Sequence, residues 1–433
     1  MKENKAQIFC ILLTALILFP CLHSFAQDKS SSKLDSLSLN VARLNKTVDA
    51  LEKIKISGYI QAQFQFADTL GVKSFNGGDF TSTSSKRFQV RRGYFKVAYA
   101  GKLSTYVLQI NANEKGFSIR DAYFSLKDPW LKAFSLTGGI FYRPFGYELS
   151  YSTSQRESPE LSRIYQLLFP GERDLGASLT FQMPENSALH PFKIEAGLFS
   201  GNGTSSETDD KLDFIGRIGY SASKSKGKVS YGLGVSYYDG YIYQAKKEVY
   251  DLMEIAGITA FHQIMPDTIP GKYFKRQYFG IDGQFSISTP LGITSVRADY
   301  ISGKQPGSDK SSISPSAAID YPLYLRSFKG GVVYLVHSIP KTMHTFLLKY
   351  DTYDPNTSLK GDEIGKSASG SIASNGTDVA FITWGLGYIA DFNRNLRVSL
   401  YYDLVKNEKS INLKSYHSDQ KDNVFTIRVQ YKF

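Results

Sequence analysis

The sequence predicts an all-β protein, a transmembrane antiparallel β-barrel of about sixteen strands, preceded by a short N-terminal coiled-coil helix. Three observations carry this. The hydrophobic period changes from 3.5 to 2 after Lys55, and the period-two segments are joined alternately by brief turns and long polar connections. No apolar run of about 18 residues occurs outside the N-terminus, which argues against membrane-crossing helices. A mean hydropathy of -0.25 agrees, because only one face of a spanning strand must be apolar. Disorder is excluded by 42% hydrophobic residues, with Tyr 29 and Phe 29 among 433, a large apolar load to leave unburied.

The first residues read as an export signal. Lys2 and Lys5 form a charged start, Ile8 to Leu18 a short apolar core, and Ser24-Phe25-Ala26 a small-x-small exit before Gln27. A lipoprotein signal centred on Cys21 is the alternative, disfavoured by Phe19-Pro20 before the cysteine. Cys10 and Cys21 both lie in this segment, so cleavage after Ala26 leaves no thiol for a disulfide, a zinc-thiolate site or a nucleophile. The formal charge of +11 becomes about +10 on removal of Lys2, Glu3 and Lys5.

From Leu34 to Leu51 the apolar residues Leu34, Leu37, Val41, Leu44, Val48 and Leu51 fall at alternating steps of three and four. Residues 27–55 are therefore expected to form a periplasmic helix, and two readings stay open: an amphipathic helix lying on a neighbour, or a parallel coiled coil joining protomers. Valine at two a positions with leucine at d leans towards two strands but fixes no stoichiometry.

Strands are expected at 56–67, 86–100, 103–113, 117–127, 132–143, 174–182, 191–200, 213–221, 228–240, 273–288, 291–303, 326–337, 342–353, 378–390, 395–405 and 422–433. The last is the clearest: Phe425, Ile427, Val429, Tyr431 and Phe433 alternate with Thr426, Arg428, Gln430 and Lys432. A soluble sandwich would also alternate, so the connections decide. Brief turns at Gly101-Lys102, Asp128-Pro129, Pro290, Ile339-Pro340 and Asp391 to Asn395 alternate with long links at 68–85, 144–173, 201–212, 241–272, 304–325, 354–377 and 406–421. An even strand number with short turns at one end and long loops at the other is the layout of an outer-membrane barrel, and such a sheet must close because lipid offers no hydrogen bonds. Lys86 to Ala100 breaks the pattern: Phe88 and Val90 share one face, Phe95, Val97 and Tyr99 the other, so a bulge is expected near Arg91-Arg92-Gly93.

If the apolar face meets lipid, the opposite face lines the lumen. Its basic residues include Arg143, Lys193, Arg217, Lys228, Arg276, Arg297, Lys329, Lys349, Arg397, Arg428 and Lys432; its acids are Glu195, Asp282, Asp299, Asp351 and Asp403. That excess predicts an electropositive lumen favouring small inorganic anions. Cross-strand pairing of the same charges is the competing role. The connection Pro144 to Asp174 carries Arg156, Arg163 and Arg173 beside Glu148, Glu157, Glu160 and Glu172; its Ile164-Tyr165-Gln166-Leu167-Leu168-Phe169 run argues for order, and folded inward it would narrow a channel.

Four motifs taken in order, Phe88-Gln89-Val90-Arg91-Arg92-Gly93-Tyr94, Arg120-Asp121-Ala122-Tyr123, Gly139-Ile140-Phe141-Tyr142-Arg143-Pro144-Phe145-Gly146-Tyr147-Glu148 and Phe169-Pro170-Gly171-Glu172-Arg173-Asp174, resemble the phosphate-selective porin O and P family. The resemblance is concentrated between residues 56 and 182. It implies a sixteen-stranded, commonly trimeric outer-membrane porin passing phosphate or polyphosphate through a cationic constriction. The family's paired strand arginines map onto Arg91 and Arg92, and the acid of its Asp-Ala-Tyr motif onto Asp121. Where members often carry lysine before Pro-Phe, this chain has Arg143, which keeps the charge but binds phosphate oxygens bidentately.

An enzyme inside a barrel is the catalytic rival, but no Gly-x-Ser-x-Gly, His-Glu-x-x-His or Walker loop is present. His190, His262, His337, His344 and His417 lie in expected turns, loops or strand ends without catalytic partners. No cofactor is expected. An exported chain of alternating strands also makes nucleic acid a poor partner despite the basic balance. The remaining alternatives are a general or other-solute porin of the same fold and a structural barrel anchoring a periplasmic coiled coil.

Overall fold

The computed structural model describes residues 27–433 apart from 225–226, 246–247 and 265–270. The segment read as an export signal, with Cys10 and Cys21, lies outside the described residues. The described residues divide after Lys55 into two units. In the first, helix α1 (Gln27–Glu52) presents Leu37, Val41, Leu44, Val48 and Leu51 exposed along one stripe.

The second unit is a closed antiparallel sheet. Its strands are β1 (Ile54–Ala67), β2 (Lys86–Ala100), β3 (Ser104–Asn113), β4 (Gly116–Lys127), β5 (Phe134–Tyr142), β6 (Arg173–Phe181), β7 (Phe192–Phe199), β8 (Asp213–Lys224), β9 (Val229–Gln244), β12 (Lys272–Thr289), β13 (Gly292–Lys304), β16 (Ser327–Ser338), β17 (His344–Asp354), β18 (Phe381–Asp391), β19 (Leu396–Asn407) and β20 (Val424–Lys432), each paired with the next. The ring closes between the ends of the chain, β1 on β20, in register from Tyr59↔Lys432 to Ala67↔Val424. Gly58 and Phe433 extend the seam by exchanging backbone hydrogen bonds of 3.2 and 3.0 Å. Closure leaves no strand edge, the condition for a sheet to sit in hydrocarbon.

All sixteen expected strands are present, with ends shifted by a few residues. Two long connections differ from expectation. Residues 245–271 carry a hairpin, β10 (Val249–Ile255) and β11 (Ile258–Gln263), joined in a small sheet by β15 (Leu323–Tyr324), and β14 (Ala318–Ile319) pairs with the end of β9. Ile242, Val249, Ile319 and Leu323 give these loops a small core of their own. By contrast, β3 and β4 are joined through Glu114-Lys115 alone, so the long-loop end has one tight turn.

The pleat sorts the side chains as the period required. On β20, Ile427, Val429 and Tyr431 are exposed outward while Thr426, Arg428 and Gln430 are buried inward. Ring pairs Tyr99–Tyr106, Phe134–Phe181, Phe192–Tyr220 and Phe346–Tyr388 lie near the short-turn ends of their strands, where an aromatic girdle belongs.

Two breaks in the alternation turn consecutive charges inward. On β2, Arg87, Gln89 and Arg91 make inward contacts, as do Arg92 and then Tyr94, so the phase flips between Arg91 and Arg92 where the bulge was expected. A second slip interrupts β3–β4, where Gln109 faces Asp121 but Ile110 faces Ile119. Arg120 is the extra residue, and it shares the inner side with Asp121.

Leu108 is half exposed on the outer face in the middle of β3. Leu108→Arg is expected to cost about 2–4 kcal/mol in reversible denaturant unfolding from lipid vesicles. A neutral substitution there would mean that this face does not meet hydrocarbon.

Candidate constriction and solute site

The connection between β5 and β6, residues 143–172, runs inside the barrel. It turns inward at Gly146, whose φ of 62° suits glycine and whose missing side chain leaves room for the Tyr165 hydroxyl. The Gly146 amide donates to Ser236 Oγ at 2.9 Å and the Tyr147 amide to Asp299 Oδ1 at 2.9 Å. Leu149, Leu161, helix α2 (Arg163–Leu168) and Phe169 then pack on inward aromatics Tyr238, Tyr278, Phe328 and Tyr353 of β9, β12, β16 and β17. This apolar contact fixes one side of the loop to the β9–β17 wall. Burial of each Leu, Ile or Phe side chain contributes about 1.5–3 kcal/mol.

A different interaction holds the far side. Glu160 accepts from Arg91 Nε at 2.8 Å, Arg92 Nη2 at 2.7 Å and Arg428 Nη2 at 2.9 Å. Gln61 and Gln63 occupy remaining donors of Arg92 and Arg428. Burial by itself raises the Glu160 carboxyl, but the three guanidiniums overcome it and hold the acid well below the usual carboxylate range. Glu148 pins the loop back on itself through the Ser162 amide at 2.8 Å and receives the Tyr334 hydroxyl from β16.

A neighbouring cluster forms at the return of the loop. Arg173 reaches Glu172 at 2.6 Å and Asp121 at 3.1 Å, its guanidinium 3.6 Å from the centre of the Tyr142 ring, and Arg120 reaches Glu172 at 3.2 Å. Burial opposes ionisation of Glu172, yet Arg173, Arg120, Arg156 and Arg92 bring its carboxyl down to about 2. Arg156 is buried in the same neighbourhood, donates to Tyr151 O at 3.3 Å and keeps Nε and Nη1 unpaired.

The structure thus gathers Arg91, Arg92, Asp121, Arg156, Arg173 and Arg428 along one side. The other candidates sit elsewhere, each with a partner of its own. Arg143 pairs with Asp174 at 3.0 Å, Arg217 with Asp282 at 2.6 Å, Arg276 with Asp213 at 2.5 Å, Arg297 with Glu157 at 2.5 Å and Arg397 with Asp391 at 2.7 Å. Arg163 is clamped between the rings of Phe75 and Phe381, 4.3 and 3.9 Å from their centres. Most lumenal cations are therefore matched by carboxylates.

Between the loop and the β1–β6 wall lies a cavity of about 320 Å³, lined by Tyr59, Tyr94, Lys96, Gln109, Asp121, Tyr142 and Arg173 of the wall, by Ser150, Ser152, Thr153 and Ser154 of the loop, and by Lys432 and Phe433. Lys96, Tyr59 and Tyr94 were not among the residues singled out from sequence. The signal was available for two of them: once the phase flips at Arg92, period two carries Tyr94 and Lys96 inward.

Three solved structures share this architecture. The anion-selective porin from Comamonas acidovorans superposes with a TM-score of 0.51 at 10% identity, over 88% of this chain and 99% of that one. OprB of Pseudomonas putida gives 0.58 at 11% identity, over 89% and 96%. The outer membrane channel DcaP of Acinetobacter baumannii gives 0.50 at 12% identity, over 88% and 97%. The fold is that of an outer-membrane porin. No family model and no curated protein matches the sequence. The porin barrel, the inward loop and the cavity beside it make this wall the candidate route for a solute.

Removing the Glu160 charge leaves three guanidiniums facing one another. Losing one partner of such a buried pair costs about 3–5 kcal/mol, so Glu160→Gln is expected to loosen the loop and raise single-channel conductance. The sign with pH follows from the depressed carboxyl. Its stabilisation is complete above the unfolded value of about 4.3 and is lost only as pH falls through the lower folded value. The conductance difference between wild type and Glu160→Gln should stay constant between about pH 5 and 8; a difference that fades on going from pH 8 to 5 would show that Glu160 is not held ionised by its arginines.

Proposed function

We propose that this protein is an outer-membrane porin forming a water-filled, anion-selective channel for passive diffusion of small anions, phosphate or polyphosphate foremost, and not an enzyme. It would be exported by its N-terminal signal, embedded as a multi-pass barrel and assembled as a homotrimer, with α1 in the periplasm.

The observation that carries this reading is the charge on the cavity wall. Lys96, Arg173 and Lys432 line it against a single acid, Asp121, and Asp121 is already bound to Arg173. The two lysines are left to set the potential along the passage. Behind them, three guanidiniums share one carboxylate. At an effective dielectric of about 20, a unit charge pair at about 4 Å is worth roughly 4 kcal/mol, against about 1 in water. Low-dielectric walls focus that potential on the mobile ion. The order of the motifs around Arg91-Arg92, Asp121 and Arg143 supports phosphate as the solute through the family resemblance, and the Comamonas neighbour is itself anion-selective.

One observation favours a second reading. The apolar packing of the inner loop occupies the β9–β17 side of the lumen, as a structural barrel anchoring a periplasmic helix would also allow. Liposome swelling separates the two, since an anchor passes no solute.

In a KCl gradient across a planar bilayer, the reversal potential is expected to report anion preference, and added phosphate to reduce the chloride current. Lys96→Glu should lower the preference by about fivefold or more, the equivalent of at least roughly 1 kcal/mol for a lumenal charge. Cation selectivity of the wild-type channel would overturn the reading.

A further inference from the structure

The cavity beside the inner loop has a lining that a bare oxyanion does not need. Its volume of about 320 Å³ equals the share of roughly ten water molecules at about 30 Å³ each. A single tetrahedral oxyanion would fill a fraction of it. On the wall side stand the rings of Tyr59, Tyr94 and Tyr142, with the first two centred 5.0 Å apart. On the loop side stand Ser152 and Ser154, whose hydroxyls lie 3.2 Å from each other and are accessible within the lumen. The Tyr59 hydroxyl is buried beside Thr153 yet makes no hydrogen bond of proper geometry.

The cations are also of a particular kind. The guanidiniums that line the cavity or stand behind it on the wall are committed: Arg91, Arg92 and Arg428 to Glu160, and Arg173 to Glu172 and Asp121, while Arg156, with Nε and Nη1 unpaired, does not line it. Lys96 and Lys432 remain, and an ammonium is a compact point charge that attracts an anionic group without fixing its orientation. Orientation must then come from the rest of the solute. Tyrosine faces bind the apolar C–H faces of a sugar ring, and serine and tyrosine hydroxyls exchange hydrogen bonds with its hydroxyls.

We infer that this cavity is a binding site for a polyhydroxylated anion, a sugar phosphate, held by the Tyr59–Tyr94–Tyr142 wall, the Ser152–Ser154 loop segment and the ammonium groups of Lys96 and Lys432. The inference rests on the anion-channel reading and names the solute class for the same passage. A site of this size also fits the general scale of small-molecule pockets, about 300–1,000 Å³.

The experiment is block of the KCl current through single channels in planar bilayers, titrated separately with glucose 6-phosphate, inorganic phosphate and glucose. Glucose 6-phosphate is expected to reach half-block at a concentration about tenfold below that of inorganic phosphate, and glucose to need far more than either. Tyr94→Ala should bring the two anions to nearly equal half-block concentrations. If Tyr94→Ala fails to assemble, the Ser152→Ala/Ser154→Ala pair, on exposed loop hydroxyls, is expected to narrow the same ratio. Equal half-block by the two anions in the wild type, or no block by either, would overturn the inference while leaving anion selectivity, read separately from the reversal potential, standing. A cation-selective reversal potential would remove the reading beneath it as well.

Discussion

Glu160, one buried carboxylate shared by three guanidiniums, ties the inner loop to the seam where β20, β1 and β2 meet. A lone ionised carboxylate in such a place would lose several kcal/mol of hydration and would protonate instead. Three cations reverse that balance, and glutamine side chains take up the donors left over. The arrangement also solves a problem of the wall. Arginines turned into a narrow lumen repel one another, and a carboxylate delivered by the loop lets them stand side by side. Wall and loop therefore depend on each other, and the loop cannot leave without exposing an uncompensated cluster of positive charge.

The opposite side of the loop is held by a different force. There Ile164, Leu168 and Phe169 bury themselves among tyrosines and phenylalanines of β9, β12, β16 and β17, a contact without net charge. The loop is thus glued apolar on one side and ionic on the other, and the cavity lies along the strands between, β1 to β6. Both phase breaks in the barrel fall on this wall. They put Arg91 beside Arg92 and Arg120 beside Asp121 on the inner surface, which strict alternation forbids. Elsewhere charged residues of the lumen are matched in pairs, as with Arg217 and Asp282 or Arg276 and Asp213, which bridge β8 and β12 across β9.

How much of this could be read from the chain follows from which forces are local. Strand positions were legible because lipid imposes a period on every residue, so Leu396 to Leu404 or Phe425 to Phe433 declare their faces without knowledge of the rest. The bulge at Arg91-Arg92 was legible for the same reason, since it shifts the phase of Phe95, Val97 and Tyr99. The second break at Arg120 was not, because Phe117 and Ile119 precede it on a strand too short to display two clear phases. Charge pairing was illegible: Asp213 lies 63 positions from Arg276 and meets it only once β8 and β12 flank β9, and Glu160 lies 268 from Arg428 and meets it only once the loop folds inward. An excess of basic over acidic residues on the inner face was visible in the sequence, but which cations stay unmatched depended on carboxylates brought by other strands and by the inner loop. That is why Lys96, not singled out from the sequence, lines the cavity while Arg143 is bound to Asp174.

If the cavity belongs to the solute route, the segment around Ser152 borders an open passage. Both cysteines lie in the first 26 residues, so a cysteine placed at position 152 is the thiol to be labelled in the barrel. The decisive experiment is single-channel recording of Ser152→Cys during reaction with a membrane-impermeant, negatively charged thiosulfonate. A stepwise fall in conductance and a weaker anion preference as the label attaches is the predicted result. Complete labelling with conductance and selectivity unchanged would contradict it.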